Sequence, residues 1–202
     1  MKTFIILLNM MFVALGLFAQ AECATITGEI VDRKSTYAYV GFGKEIFSAK
    51  IINQDFKITL PKKEGYGLGT IFFWSDSLSN EEAYQMIKNG LEDSRTIAVE
   101  NLHIVAGKVA KDAIVKGGQY NLELDEMFLC LRDKSYLDYF DRYPNSPVSL
   151  TLLRILIGLA NTAPYFSGEL TLKIYFDKLS NELKESEEGK KLWKMIAPMY
   201  KN

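Results

Sequence analysis

The chain has 202 residues, with 24 basic against 25 acidic side chains and a formal net charge of −1. Charge so nearly balanced, and never gathered into one block, argues against nucleic acid and anionic membrane surfaces as partners, because both reward a basic face. At 48% hydrophobic and 24% charged, the chain has enough apolar content to bury a core, which excludes a disordered protein.

The first element is a leader. Lys2 precedes an apolar run from Phe4 to Phe18, and small residues follow at Ala19 and Ala21. Charge, apolar core and A-x-A exit in that order predict a signal peptide over residues 1–21, a mature chain starting near Glu22, and a periplasmic or secreted location. The run falls short of the roughly twenty residues that span a hydrocarbon core, so no transmembrane segment is expected after cleavage. Lipid attachment at Cys23 is disfavoured, because Glu22 stands where a lipoprotein signal needs a small residue.

Residues 22–118 read as a β-rich domain. Ala24 to Val31, Tyr37 to Phe42, Ile46 to Ile51, Asp55 to Leu60 and Gly67 to Trp74 are β-branched or aromatic segments parted by turn residues, and they suggest a meander. Phe56-Lys57-Ile58-Thr59-Leu60 alternates most cleanly, between the polar turn Asn53-Gln54-Asp55 and Pro61. A helix is predicted from Asn80 to Leu91, opened by Ser79 or Asn80 ahead of Glu81-Glu82. Strands follow at Arg95 to Glu100, Leu102 to Ala106 and Ala113 to Lys116. Connections this short fit an antiparallel β-sandwich-like layer better than a parallel sheet with crossover helices.

Residues 119–202 read as a helical region packed on that layer, a bundle of about four helices. Leu124, Phe128 and Leu131, then Tyr136, Phe140 and Tyr143, give apolar patches at helical spacing that stop at Pro144. Ser146 and Pro147 supply an N-cap and first-turn proline for a helix to Leu159 that is apolar nearly all round, hence central. Ser167 opens a helix with Leu172, Tyr175 or Phe176, Leu179 and Leu183 inward. Ser186 opens another, with Leu192, Met195, Ile196 and Met199 inward.

Few residues carry chemistry. Cys23 and Cys130 invite a disulfide in an oxidising compartment, but Cys130 sits in Met127-Phe-Leu-Cys-Leu131, where a cysteine behaves as a small buried hydrophobe. Neither belongs to a C-x-x-C pair, so intrinsic thiol oxidoreductase chemistry has no visible seat. His103, the single histidine, reads as solvent-facing or hydrogen-bonded rather than as a general base. Metal ligands at useful spacing are lacking, and Asp125-Glu126 and Asp138/Asp141 have no EF-hand loop. Asp138 and Asp141 read as a solvated helix face with Arg142 in reach, not as a glycosidase pair. Gly65, Gly67 and Gly69 alternate within a strand, which suits close packing rather than a phosphate loop. In Phe72-Phe73-Trp74 the rings are expected to pack on both faces of a covered strand. Were Trp74 exposed, it would be a platform for a peptide or sugar. No catalytic residue, metal or cofactor is expected.

Two stretches resemble a known family. Tyr143-Pro-Asn-Ser-Pro-Val-Ser-Leu-Thr-Leu-Leu153 resembles the P-x-S-x-V-S-L-x-L-L signature of envelope thioredoxin-like proteins of Bacteroidetes. Lys178-Leu-Ser-Asn-Glu-Leu-Lys-Glu-Ser-Glu-Glu-Gly-Lys-Lys-Leu192 is similar to their L-x-x-x-L-K-x-S-x-x-G-K-x-L stretch. Ile26 to Ile30 and Asn53 to Leu60 look like the opening strands of their non-catalytic domain, the family called domain of unknown function 4369. In those relatives the G-K-x-L helix leads on to a thioredoxin-like or peroxiredoxin domain, whereas this chain ends at Asn202, and its Gly118 to Pro144 segment is shorter. The resemblance therefore implies a stand-alone accessory domain: a non-catalytic envelope module that binds an envelope protein or small ligand. The alternative it implies is an accessory component of a thiol-disulfide or peroxide-handling system, acting with a separate thioredoxin-fold enzyme.

Overall fold

The computed structural model describes residues 23–31, 34–61, 67–162 and 169–200. The leader, Glu22, Gly65 and Ser167 lie outside the described residues. Within them, eight strands form two four-stranded sheets, and seven α-helices and two 3₁₀ turns complete a mixed α+β chain.

The strands are β1 (Cys23–Ile30), β2 (Tyr37–Phe42), β3 (Glu45–Lys50), β4 (Asp55–Pro61), β5 (Leu68–Trp74), β6 (Arg95–Ala98), β7 (Leu102–Ala106) and β8 (Ile114–Lys116). One sheet has the order β4-β1-β7-β8 and the other β3-β2-β5-β6. The expected meander is therefore corrected: β1 and β2 lie in different sheets, and so do β3 and β4, which are joined through a tight turn closed by Ile52 and Asp55. One pair also breaks the antiparallel pattern, since β1 runs parallel to β7 in the register Ile26↔Leu102 to Ile30↔Ala106.

The reason is visible in the burial. Ile26 and Ile30 of β1, Phe56, Ile58 and Leu60 of β4, and Ile104 of β7 share one core with Val40 of β2, Ile71 and Phe73 of β5, and Ile97 of β6. Consecutive strands can bury their apolar faces in a common core from opposite sides only if the chain changes sheet between them. Gly28 marks the tightest approach: a Cβ there would overlap the Ile104 carbonyl and the Phe56 ring.

The outer face of the second sheet is covered by α1 (Asn80–Lys88), whose N-terminus carries a full capping box between Ser79 and Glu82. Tyr39 and Phe72 stack beneath it at 5.0 Å, and the Tyr39 hydroxyl accepts from Leu78 N at 2.7 Å.

Six helices follow β8 among the described residues, more than the four expected: α2 (Gln119–Asp133), α3 (Tyr136–Arg142), α4 (Pro147–Thr162), α5 (Glu169–Lys178), α6 (Asn181–Glu185) and α7 (Glu187–Ile196). The surplus comes from two breaks. Lys134 takes a left-handed φ of 57° and ends α2, and Ser180 caps a new helix inside the element expected to run on to Leu183, whereas Ser186 caps α7 as expected. Leu152, Leu153 and Leu156 of α4 lie at the centre of the helical core with Leu124, Phe140, Leu172 and Leu192. Tyr175 and Phe176 are both buried there, whereas Phe128 and Met195, expected inward, are 44% and 47% exposed. In α2 the inward stripe runs through Met127 and Cys130 instead, which turns Phe128 and Leu129 toward solvent.

Candidate functional site

The helical half meets the second sheet along β6, an edge strand hydrogen-bonded only to β5. Asn121 of α2 makes the join: its Oδ1 accepts from Ala98 N at 3.0 Å and its Nδ2 donates to Ala98 O at 2.9 Å, so the side-chain amide stands in for one residue of a missing neighbour strand. Glu100, just past the strand, accepts from the main-chain N–H groups of Gln119 and Tyr120, each at 3.1 Å, and from Asn121 Nδ2 at 3.0 Å. A carboxylate from the sheet thus caps a helix whose own N-cap, Gly118, offers no side chain.

One helical turn after Asn121, Arg95 Nη2 donates to both Asp125 carboxylate oxygens, at 2.6 and 2.8 Å. Its Nη1 donates to Lys111 O at 3.3 Å, on a 3₁₀ turn (Ala110–Asp112) that Asp93 steadies by accepting from Ala110 N. Arg95 Nε is buried and has no hydrogen-bond partner among the described residues.

Beside the Arg95–Asp125 pair lies an open cleft of about 480 Å³. Ser94, Arg95, Thr96 and Lys111 form one wall, and Phe128 and Leu129 form the other beside Asp125. The cleft can hold a group that is polar on one side and apolar on the other. A smaller hollow of about 170 Å³ lies beside α1 over Gly41, Gly69 and Thr70.

Of the residues singled out in the sequence, Asp125 and Phe128 line this cleft and the others lie elsewhere. Trp74 is half-buried on the outer face of the second sheet, packed with Tyr37 and Leu78, while Phe73 turns inward against Phe56 at 5.6 Å. Both faces of that strand are covered. Cys23 is exposed at the start of β1 and Cys130 is buried in the helical core, and no disulfide joins them. The pairing fails because the two belong to different layers. Burial pushes the Cys130 thiol above the usual range, against a weaker opposing hydrogen bond with Ser135. A maleimide is therefore expected to label Cys23 in the native protein and Cys130 only on unfolding. Equal rates at both, read by mass spectrometry, would contradict the burial.

His103 is exposed on β7, its Nδ1 3.2 Å from Thr27 Oγ1. Asp141 pairs with Lys178 at 2.5 Å, and Arg142 pairs with Glu126 at 2.6 Å rather than with Asp138 or Asp141, as the sequence suggested. Gly67 and Gly69 pack closely against Phe42 and Val99. Among the described residues no cluster of histidine, cysteine or carboxylate suits a metal ion, and no helix is long and apolar enough to cross a membrane. The pairing of Arg95 with Asp125 has no signal in the sequence, because nothing local links residues 30 apart. The chain matches no family model, no curated protein and no solved structure.

Proposed function

We propose that this chain is a secreted, non-catalytic binding module of the cell envelope, similar to the accessory domain of thioredoxin-like proteins. Its two sheets are read as a β-sandwich-like layer that carries the helical bundle. The observation that supports a binding role is the cleft beside β6, which sets hydrogen-bonding groups opposite an apolar wall and contains neither cysteine nor histidine. Nucleophilic chemistry needs a base within reach of its nucleophile. The one histidine lies on β7, in the other sheet.

The purified protein is expected neither to reduce insulin disulfides nor to consume peroxide. Those reactions require a low-pKa thiolate and a resolving partner, and the Cys130 thiol is shifted the other way. Turnover lost in Cys130→Ser would overturn the reading. Envelope targeting has its own check: intact-mass spectrometry should find a mature chain starting within a few residues of Glu22. A retained leader or a lipid on Cys23 would count against it.

A further inference from the structure

Edge strands expose alternate main-chain groups, and β6 exposes its own into the cleft. Val99 N donates to Gly67 O across the sheet at 2.9 Å, while Ala98 N–H and C=O point the other way, to Asn121. By the two-residue repeat of an antiparallel ladder, Thr96 N–H and C=O also point outward, on the side where Asn121 has already replaced a strand. Thr96 lines the cleft, and its outward groups have no hydrogen-bond partner among the described residues. Beside it, Arg95 neutralises Asp125, whereas Lys111 makes no ion pair among the described residues. The cleft is therefore positive by one charge, with Phe128 and Leu129 opposite.

We propose that the open edge of β6 takes an extended peptide as an added strand, with a peptide carboxylate on Lys111 and a peptide apolar side chain on Phe128 and Leu129. This deepens the binding-module reading and rests on it. Main-chain bonds to Thr96 would supply register, and the alternation of a strand would send neighbouring side chains to the two walls. Asn121 sets the end of the site, since an added strand cannot pass Ala98 without displacing it. The short run between Asn121 and the turn at Lys111 limits the peptide to a few residues in contact.

The test uses two synthetic peptides, acetyl-Thr-Val-Glu-Val-Thr-amide and its twin with lysine in place of glutamate, titrated into isotope-labelled mature protein. The glutamate peptide should shift the Thr96 amide resonance saturably and slow its exchange with solvent, and the lysine twin should bind roughly 2–5-fold more weakly. Thr96→Pro removes the outward donor yet keeps the ladder to β5, because proline is tolerated at an edge position whose N–H faces out. It should weaken binding roughly tenfold. Lys111→Glu should reverse the preference between the peptides, and it decides the matter even where the proline variant does not fold.

An unmoved Thr96 amide at millimolar peptide, or binding indifferent to both substitutions, would overturn the proposal. The broader reading is separated by affinity capture from envelope extract. A partner retained equally by wild type and Thr96→Pro, with no Thr96 response to peptide, leaves a binding module and removes this site. Absence of both signals removes both.

Discussion

Leu153→Ala is expected to lower the stability of the fold by about 2–5 kcal/mol, the range for deleting a buried leucine side chain and leaving a cavity. Leu153 is fully buried in α4, between Leu152 and Leu156, and the helices around it press inward from several directions. Such a site has little freedom to collapse around the void. Leu156, 3% exposed, should behave similarly, while Leu137→Ala, at a residue 43% exposed, should stay within about 0.5 kcal/mol. Denaturant melts compare the three directly. A loss below about 1 kcal/mol for Leu153→Ala would mean that α4 is not the centre of the helical half.

Asn121→Leu should cost about as much by a different route. The substitution keeps the branched heavy-atom shape and adds apolar surface, so burial of apolar area alone predicts no loss. It removes both partners of Ala98, however, and Ala98 is fully buried. Each buried main-chain group left unpaired costs about 1–3 kcal/mol, so the two together reach about 2–6 kcal/mol. Glu100 would also lose one of its three donors at the start of α2. If thermal and chemical melts show a change under about 1 kcal/mol, water reaches the Ala98 edge and the amide is not the join between the halves.

Strands were legible in the sequence because alternation is a local property. Phe56, Ile58 and Leu60 are buried and Lys57 and Thr59 exposed, as their spacing requires. Strand partners were not legible: nothing in Ile26 to Ile30 specifies that its parallel neighbour is Leu102 to Ala106. Helix faces were ambiguous where apolar residues occupy adjacent positions. In α2 both Met127 and Phe128 fit a stripe through Leu124, and only packing selects Met127. Breaks were missed for a related reason, since a lysine in the left-handed region at Lys134 has no sequence signature comparable to glycine. The candidate site was the least legible, because its cleft is lined from β6, the 3₁₀ turn and α2, which lie far apart in the chain, rather than by any motif.

The parallel pairing of β1 with β7 bears on the order in which the fold can assemble. Thr25 N–H bonds to Asn101 Oδ1, 76 residues away, and the ladder beyond it binds the first strand to one of the last. The hairpin of β2 and β3 can form from neighbouring residues, but β1 must wait for the chain through Ala106, and long loops of this kind slow the search. Without β7, the side of β1 that carries this ladder has no strand to pair with. Separated from Leu102 to Ala106 by more than seventy residues, β1 is the strand whose second edge is completed only when the far end of the β-rich half is in place.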